Sequence, residues 1–121
     1  MAAPVFDTNI VIDWLRDRPQ AARELERYPH HCISRITWME VLAGEPLETR
    51  DEIQDLLKPF EVIEIDGRIA AAAADIRHRT RMKTFDAIIL ATAQTSGSIL
   101  VTRNTRDFPA KLPGIRIPYT L

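Results

Sequence analysis

Cysteine is almost missing from this chain: Cys32 is the only one in 121 residues. No internal disulfide can form, and no cysteine cluster can hold a metal. Cys32 sits in the apolar-flanked stretch "HCIS" and reads as a small core residue. The three histidines, His30, His31 and His78, show no HxxxH spacing and no CxxC exists, so zinc has little support. No apolar run nears the roughly 18 residues that a membrane span needs. The start of the chain lacks the charged n-region and apolar h-region of a secretory signal. Repeats, low-complexity tracts and linkers are missing too. These absences leave one globular domain over residues 1–121, without a membrane span and cytoplasmic by default. The 45% apolar content is enough for a core.

Net charge is −1, which argues against broad nucleic-acid affinity, but the charge is unevenly spread. Residues 1–66 carry 14 acids against 7 Lys/Arg, and residues 67–121 carry 3 acids against 9 Lys/Arg. Such asymmetry fits an acidic site and a basic surface on one molecule. It also fits solvated faces that mix once the chain folds.

Strand-like stretches are "APVF", "HCIS", "FEVIEI" and "SILVT", with a weaker one in "IRIPY". Helical patterns lie between them. Asp7 or Thr8 can cap a helix through Leu15, and Pro19 suits the first turn of a second running to about Arg27. "RITWMEVLAG" is a short apolar helix closed by Gly44. Thr49 and Glu52 have capping-box spacing. Asp66 can cap "RIAAAAADIRHR", and Thr84 can cap a helix that Gly97 closes. Strands alternating with helices predict an α/β fold with a mainly parallel sheet.

Three carboxylates stand out by context. Asp7 in "PVFDTNIVI", Glu40 in "ITWMEVLAG" and Asp86 in "FDAIILATA" are lone acids in apolar runs. A buried, ionised carboxylate costs several kcal/mol unless it is paired or binds a metal. Taken singly, each has a structural explanation; Asp86, for instance, falls in the first turn of a helix, where the dipole favours an anion. Taken together they suggest a site. Asp7 lies at the C-terminal end of the first strand, where open α/β sheets place their ligands. Three converging carboxylates need a cation, and hard oxygen donors suit Mg²⁺ or Mn²⁺. In "LVTRNTRDF", Asn104 and Asp107 follow the end of another strand, either joining the same edge or forming an ordinary Asn/Asp turn. In "RHRTRMK", the bases Arg77, Arg79, Arg81 and Lys83 precede Asp86. They read as a phosphate-binding rim, or as the solvated end of a helix. Trp14 and Trp38 lie on short apolar helices and suit either core packing or a groove for a partner helix.

"VFDTNIVID", "ISRITWMEVLAG", "FDAIILATA" and "LVTRNTRDF" resemble, in order, the four blocks of PIN-domain proteins, above all the VapC-type toxins of bacterial toxin–antitoxin pairs. The resemblance runs from about Val5 to Pro118. It implies a three-layer α/β/α sandwich and an Mg²⁺- or Mn²⁺-dependent endoribonuclease site restrained by a VapB-type antitoxin, with a homodimer as the assembly. Asp7, Glu40 and Asp86 match the family's three acids. Thr8 and Asn9 complete its opening DTN, and Thr102 matches the Thr before its last block. Asn104 falls where some members carry a fourth Asp and others an Asn, the latter often followed three residues later by an acid, here Asp107. Two other readings stand beside this one: a PIN-like scaffold that only binds a partner, and a haloacid-dehalogenase-like phosphatase. The latter wants a second Asp at the position of Asn9.

Overall fold

The structure, a computed structural model, describes residues 2–121. Five strands form one sheet: β1 (Val5–Phe6), β2 (His31–Ser34), β3 (Phe60–Ile63), β4 (Leu100–Val101) and β5 (Ile115–Arg116). Their order is β3-β2-β1-β4-β5 and every pairing is parallel. Six α-helices intervene: α1 (Thr8–Leu15), α2 (Pro19–Glu26), α3 (Arg35–Ala43), α4 (Arg50–Leu56), α5 (Gly67–Arg79) and α6 (Thr84–Thr95).

Pleating divides the strand residues between two cores. Val5, Cys32 and Leu100 stand side by side in the register and face one layer, together with Ile69, Ala73 and Ile76 of α5 and Ala87, Leu90 and Ala91 of α6. Phe6, Ile33 and Val101 face the other, with Ile10 and Val11 of α1, Leu25 of α2 and Val41 of α3. Helices on both faces of a parallel sheet make the α/β/α sandwich that the resemblance implies. Helix α3 gives Ile36 to one core and Val41 to the other, so it lacks a single apolar stripe.

Several local expectations hold. The Asp7 side chain accepts from the Thr8 amide at the start of α1, Asp66 accepts from the Ile69 amide at the start of α5, and Gly97 closes the end of α6 with φ of 67°. Others fail. Thr49 stands at the N-cap of α4 but its side chain makes no capping bond: its hydroxyl donates to the Pro46 carbonyl, and residues 47–49 form a 3₁₀ turn. Thr84 is the first residue of α6 rather than its cap, and its hydroxyl accepts from Arg77. Gly44, by contrast, closes α3 as expected, at φ of −80°, a value open to any residue.

Two part-buried ion pairs fasten the late strands to the helices. Arg116 of β5 forks onto Glu24 of α2 at 2.6 and 2.9 Å. Arg103, just after β4, forks onto Asp13 of α1 at 2.7 and 3.0 Å, and the Tyr119 hydroxyl donates to the same carboxylate at 2.7 Å. Among the described residues, no helix is long and apolar enough to cross a membrane.

Candidate active site

The chain leaves β1 directly into α1, and Asp7 is the residue between them. It is 4% exposed. Its Oδ1 accepts from the Thr8 amide at 2.8 Å, and its Oδ2 accepts from the Thr102 hydroxyl at 2.7 Å and from Asn9 Nδ2 at 3.2 Å. Because β4 lies beside β1, Thr102 at the end of β4 arrives next to Asp7. Asn9 is held in turn: its Oδ1 accepts from the Arg103 amide at 3.1 Å.

Burial pushes the Asp7 carboxyl up to about 6; the Thr102 and Thr8 hydrogen bonds hold it down, and the charges of Asp86 and Glu40 push it further up. Glu40 comes from the middle of α3. The Thr8 hydroxyl donates to its Oε1 at 2.7 Å and lies 3.1 Å from the Thr37 hydroxyl. Asp86 stands in the first turn of α6, where the helix dipole favours an anion. Its carboxyl is also raised, first by burial and then by the charges of Asp107 and Glu40, with Lys83 opposing. Four carboxylates from four segments therefore share one electrostatic neighbourhood at the C-terminal edge of the sheet.

They do not form a closed cage. Among the described residues, no three carboxylate, imidazole or thiol groups stand close enough to ligate one ion as they are. The donor chemistry still fits a hard divalent cation: an all-oxygen set of acids in mutual repulsion, two of them raised, with threonine and asparagine groups fixing their orientation. Histidine takes no part. His31 Nε2 lies 2.6 Å from the Leu25 carbonyl and its ring packs against Phe6 and Phe60.

Asn104 and Asp107 are bound to each other. Asn104 Nδ2 donates to Asp107 Oδ2 at 2.8 Å, and the Asp107 amide donates to Asn104 Oδ1 at 3.1 Å. The chain makes one turn here, as the spacing predicts, closed by the Phe108 amide on the Asn104 carbonyl. The Asn104 side chain is thus engaged in bracing Asp107, whose charge reaches Asp86.

The basic cluster is only partly directed at the acids. Lys83 precedes α6 and its charge reaches Asp86. Arg77 is occupied: Nη1 donates to the Thr84 hydroxyl at 2.8 Å and Nε to the Met82 carbonyl at 3.2 Å, tying the 80–83 loop to the start of α6. Arg79 donates to the Asp75 carbonyl, and Arg81 is exposed. Trp14 packs edge-on against Phe60, and Trp38 lies against the α1 side core with the Arg35 guanidinium 4.7 Å above its ring. Core packing thus accounts for Trp14.

The contributors that sequence reading passed over are Thr37, Asp13, Arg103 and Tyr119. Asp13 carried a usable signal, since it too is a lone acid in an apolar run, "IVIDWL". Burial alone would raise its carboxyl, but the Arg103 fork and the Tyr119 hydroxyl hold it below the usual carboxylate range.

The PIN domain family matches residues 5–111 of the chain. A protein of Salmonella typhimurium called tRNA(fMet)-specific endonuclease VapC is 30% identical over 125 residues, covering 93% of this chain and 94% of its own. The protein of that name from Shigella flexneri is 29% identical, covering 93% of each. Among solved structures, a toxin–antitoxin complex from Klebsiella pneumoniae contains a chain that is 41% identical and superposes with a TM-score of 0.91, over 98% of this chain and 100% of that one. The DNA-bound VapBC of Salmonella typhimurium contains one that is 29% identical, with a TM-score of 0.80 and 97% of each chain covered. This chain belongs to the PIN-domain family, and within it to the VapC type.

Proposed function

We propose that this protein is a divalent-cation-dependent endoribonuclease, the toxin of a VapBC-type toxin–antitoxin pair, acting in the cytoplasm as a homodimer until a VapB-type antitoxin binds it. The observation that carries the reading is the convergence of Asp7, Glu40, Asp86 and Asp107, from four separate segments, on one edge of the sheet, with Asp7 pushed up to about 6. A structural role does not call for four acids held against their own repulsion; cation binding does. The similarity to proteins named tRNA(fMet)-specific endonuclease VapC supplies the reaction class and makes transfer RNA the first substrate to test.

Asp7, Glu40 and Asp86 would hold the ion. When bound, Mg²⁺ or Mn²⁺ supplies a lowered pKa for a water and charge stabilisation for the phosphorane-like transition state. The chain's own groups do the rest. The Thr102 and Thr8 hydroxyls keep Asp7 and Glu40 turned to the edge. Asp107, braced by Asn104, orients the attacking water and accepts its proton. Lys83, with Arg77, Arg79 and Arg81 behind it, positions the RNA backbone from the α5–α6 side.

The test is cleavage of a tRNA(fMet) transcript by the purified protein in Mg²⁺ or Mn²⁺. EDTA should stop it, Asp7→Asn should abolish it with the fold intact, and a saturating antitoxin should quench it. Cleavage that survives both EDTA and Asp7→Asn would show that the acids are not the active site.

A further inference from the structure

Beside the carboxylates, on the α1 side of the sheet, lies an open cleft of about 360 Å³ lined by Asn9, Arg103, Asn104, Thr105 and Arg106. Its floor is built rather than incidental. Asp13, 3% exposed, grips Arg103 through Nε and Nη2. Nη1, the remaining guanidinium nitrogen, is not used by Asp13. An arginine clamped along one edge by a buried carboxylate keeps a fixed orientation, so little side-chain entropy is lost when its free edge binds an anion. Arg106 lies exposed in the same cleft and, among the described residues, takes part in no ion pair. Asn9 links the cleft to the acids: its amide contacts Asp7, and its oxygen accepts from the Arg103 backbone.

Resting on the ribonuclease reading, the geometry points to a second phosphate subsite: the Arg103–Arg106 cleft receives a backbone phosphodiester of the RNA adjoining the one cleaved. The placement explains a feature that the Arg77–Lys83 cluster leaves open. That cluster sits on the α5–α6 layer, whereas Arg103 is tied to α1 in the opposite layer. The two basic groups flank the acids from both faces of the sheet. An RNA strand crossing the edge would thus be held on either side of the scissile bond, and a backbone fixed at two points cannot pivot away from the acids.

The experiment measures binding of a fluorescent tRNA(fMet) transcript in the Asp7→Asn background, where no cleavage complicates the reading, across a range of salt concentrations. Arg106→Ala should weaken binding several-fold and reduce the slope of log K against log salt by about 0.7, the loss of one single-strand phosphate contact. In the otherwise wild-type enzyme the same substitution should raise KM and leave kcat within about twofold. Arg103→Lys keeps a cation for Asp13 but not the fork, and should also raise KM. Lys58→Ala is the control for charge alone, because Lys58 precedes β3 at the opposite edge of the sheet, paired with Asp55; its slope should stay unchanged. An unaltered slope in Arg106→Ala, or an equal drop in Lys58→Ala, overturns the subsite. Should Arg103→Lys fail to fold, Arg106→Ala decides alone. A wild-type protein that binds with the expected slopes but never cleaves would refute the nuclease reading and leave the subsite standing.

Discussion

Replacing Asp7 by Asn should make the metal-free protein more stable, by an amount that depends on pH. Asp7 is 4% exposed and its carboxyl is raised from 3.8 to about 6. A raised carboxyl stabilises the folded state fully only below its unfolded pKa, and that stability is lost as pH rises through the folded value. Between the limits the loss is about 3 kcal/mol, at roughly 1.36 kcal/mol per pH unit of difference. Most of it, about 2 kcal/mol, develops between pH 4.5 and 8 by the same linkage. Asn carries no charge to desolvate or repel. It does lose one favourable contact, because its amide would face the Thr102 hydroxyl and the Asn9 amide, both donors to Asp7 Oδ2. That loss is worth about 1 kcal/mol. The net gain for Asp7→Asn at pH 8 is then about 2 kcal/mol, or a rise in Tm of several degrees for a domain of this size. Urea melts of both proteins in EDTA, from pH 4.5 to 8, read the difference directly. It should grow with pH and vanish or reverse near pH 4.5. A difference that is flat across this range, or a variant less stable than wild type at pH 8, would refute the electrostatic account of the site.

Three further outcomes are expected. Asp107→Ala should cut the cleavage rate while leaving affinity for the first Mn²⁺ within a few-fold by calorimetry, and Asn104→Ala should do the same because Asn104 braces Asp107; Asp86→Ala should lose both, and equal affinity losses in Asp86→Ala and Asp107→Ala would make Asp107 a direct ligand. Asp13→Ala leaves the Arg103 guanidinium and Tyr119 hydroxyl unpaired and should destabilise the fold by about 2 kcal/mol, a figure kept low because Arg103 is a third exposed; a urea midpoint within error of wild type would contradict this. Neutralising Arg79, Arg81 and Lys83 together should weaken RNA binding and flatten its salt dependence while metal binding persists; an unchanged slope would mark the cluster as a solvated helix end.

The layering of the fold was legible because parallel strands flanked by helices leave strong marks: short apolar runs, each followed by a capping residue and a helical period. Both the Asp7 cap of α1 and the Gly97 stop of α6 follow from local chemistry alone. The capping bonds expected of Thr49 and Thr84 are not made, for a local reason in the first and a tertiary one in the second. Each hydroxyl is diverted, Thr49 to the Pro46 carbonyl and Thr84 to Arg77 from the neighbouring helix. The acids were legible as anomalies, charges in apolar company. That criterion should also have found Asp13, in "IVIDWL", whereas Glu24 in "RELER" gave no signal although it is 4% exposed. The fork that neutralises Glu24 comes from Arg116, 92 residues away. Partnerships of that range leave no local trace.

The same reasoning explains why Asp7 tolerates its position without a dedicated counter-ion. Asp13 and Glu24, equally buried, each received an arginine fork. Asp7 received only neutral donors: a backbone amide, a hydroxyl and an asparagine amide. These fix its orientation but do not cancel its charge. A fork placed there would have made the site a structural salt bridge, with its carboxyl held low and its oxygens filled. Neutral donors instead leave it raised, with Asp86 and Glu40 adding to the repulsion. The difference between a buried acid that holds the fold and one that awaits a cation is therefore visible in the partners chosen. Within one chain, Asp7 and Asp13, six residues apart on the same strand–helix unit, show both solutions.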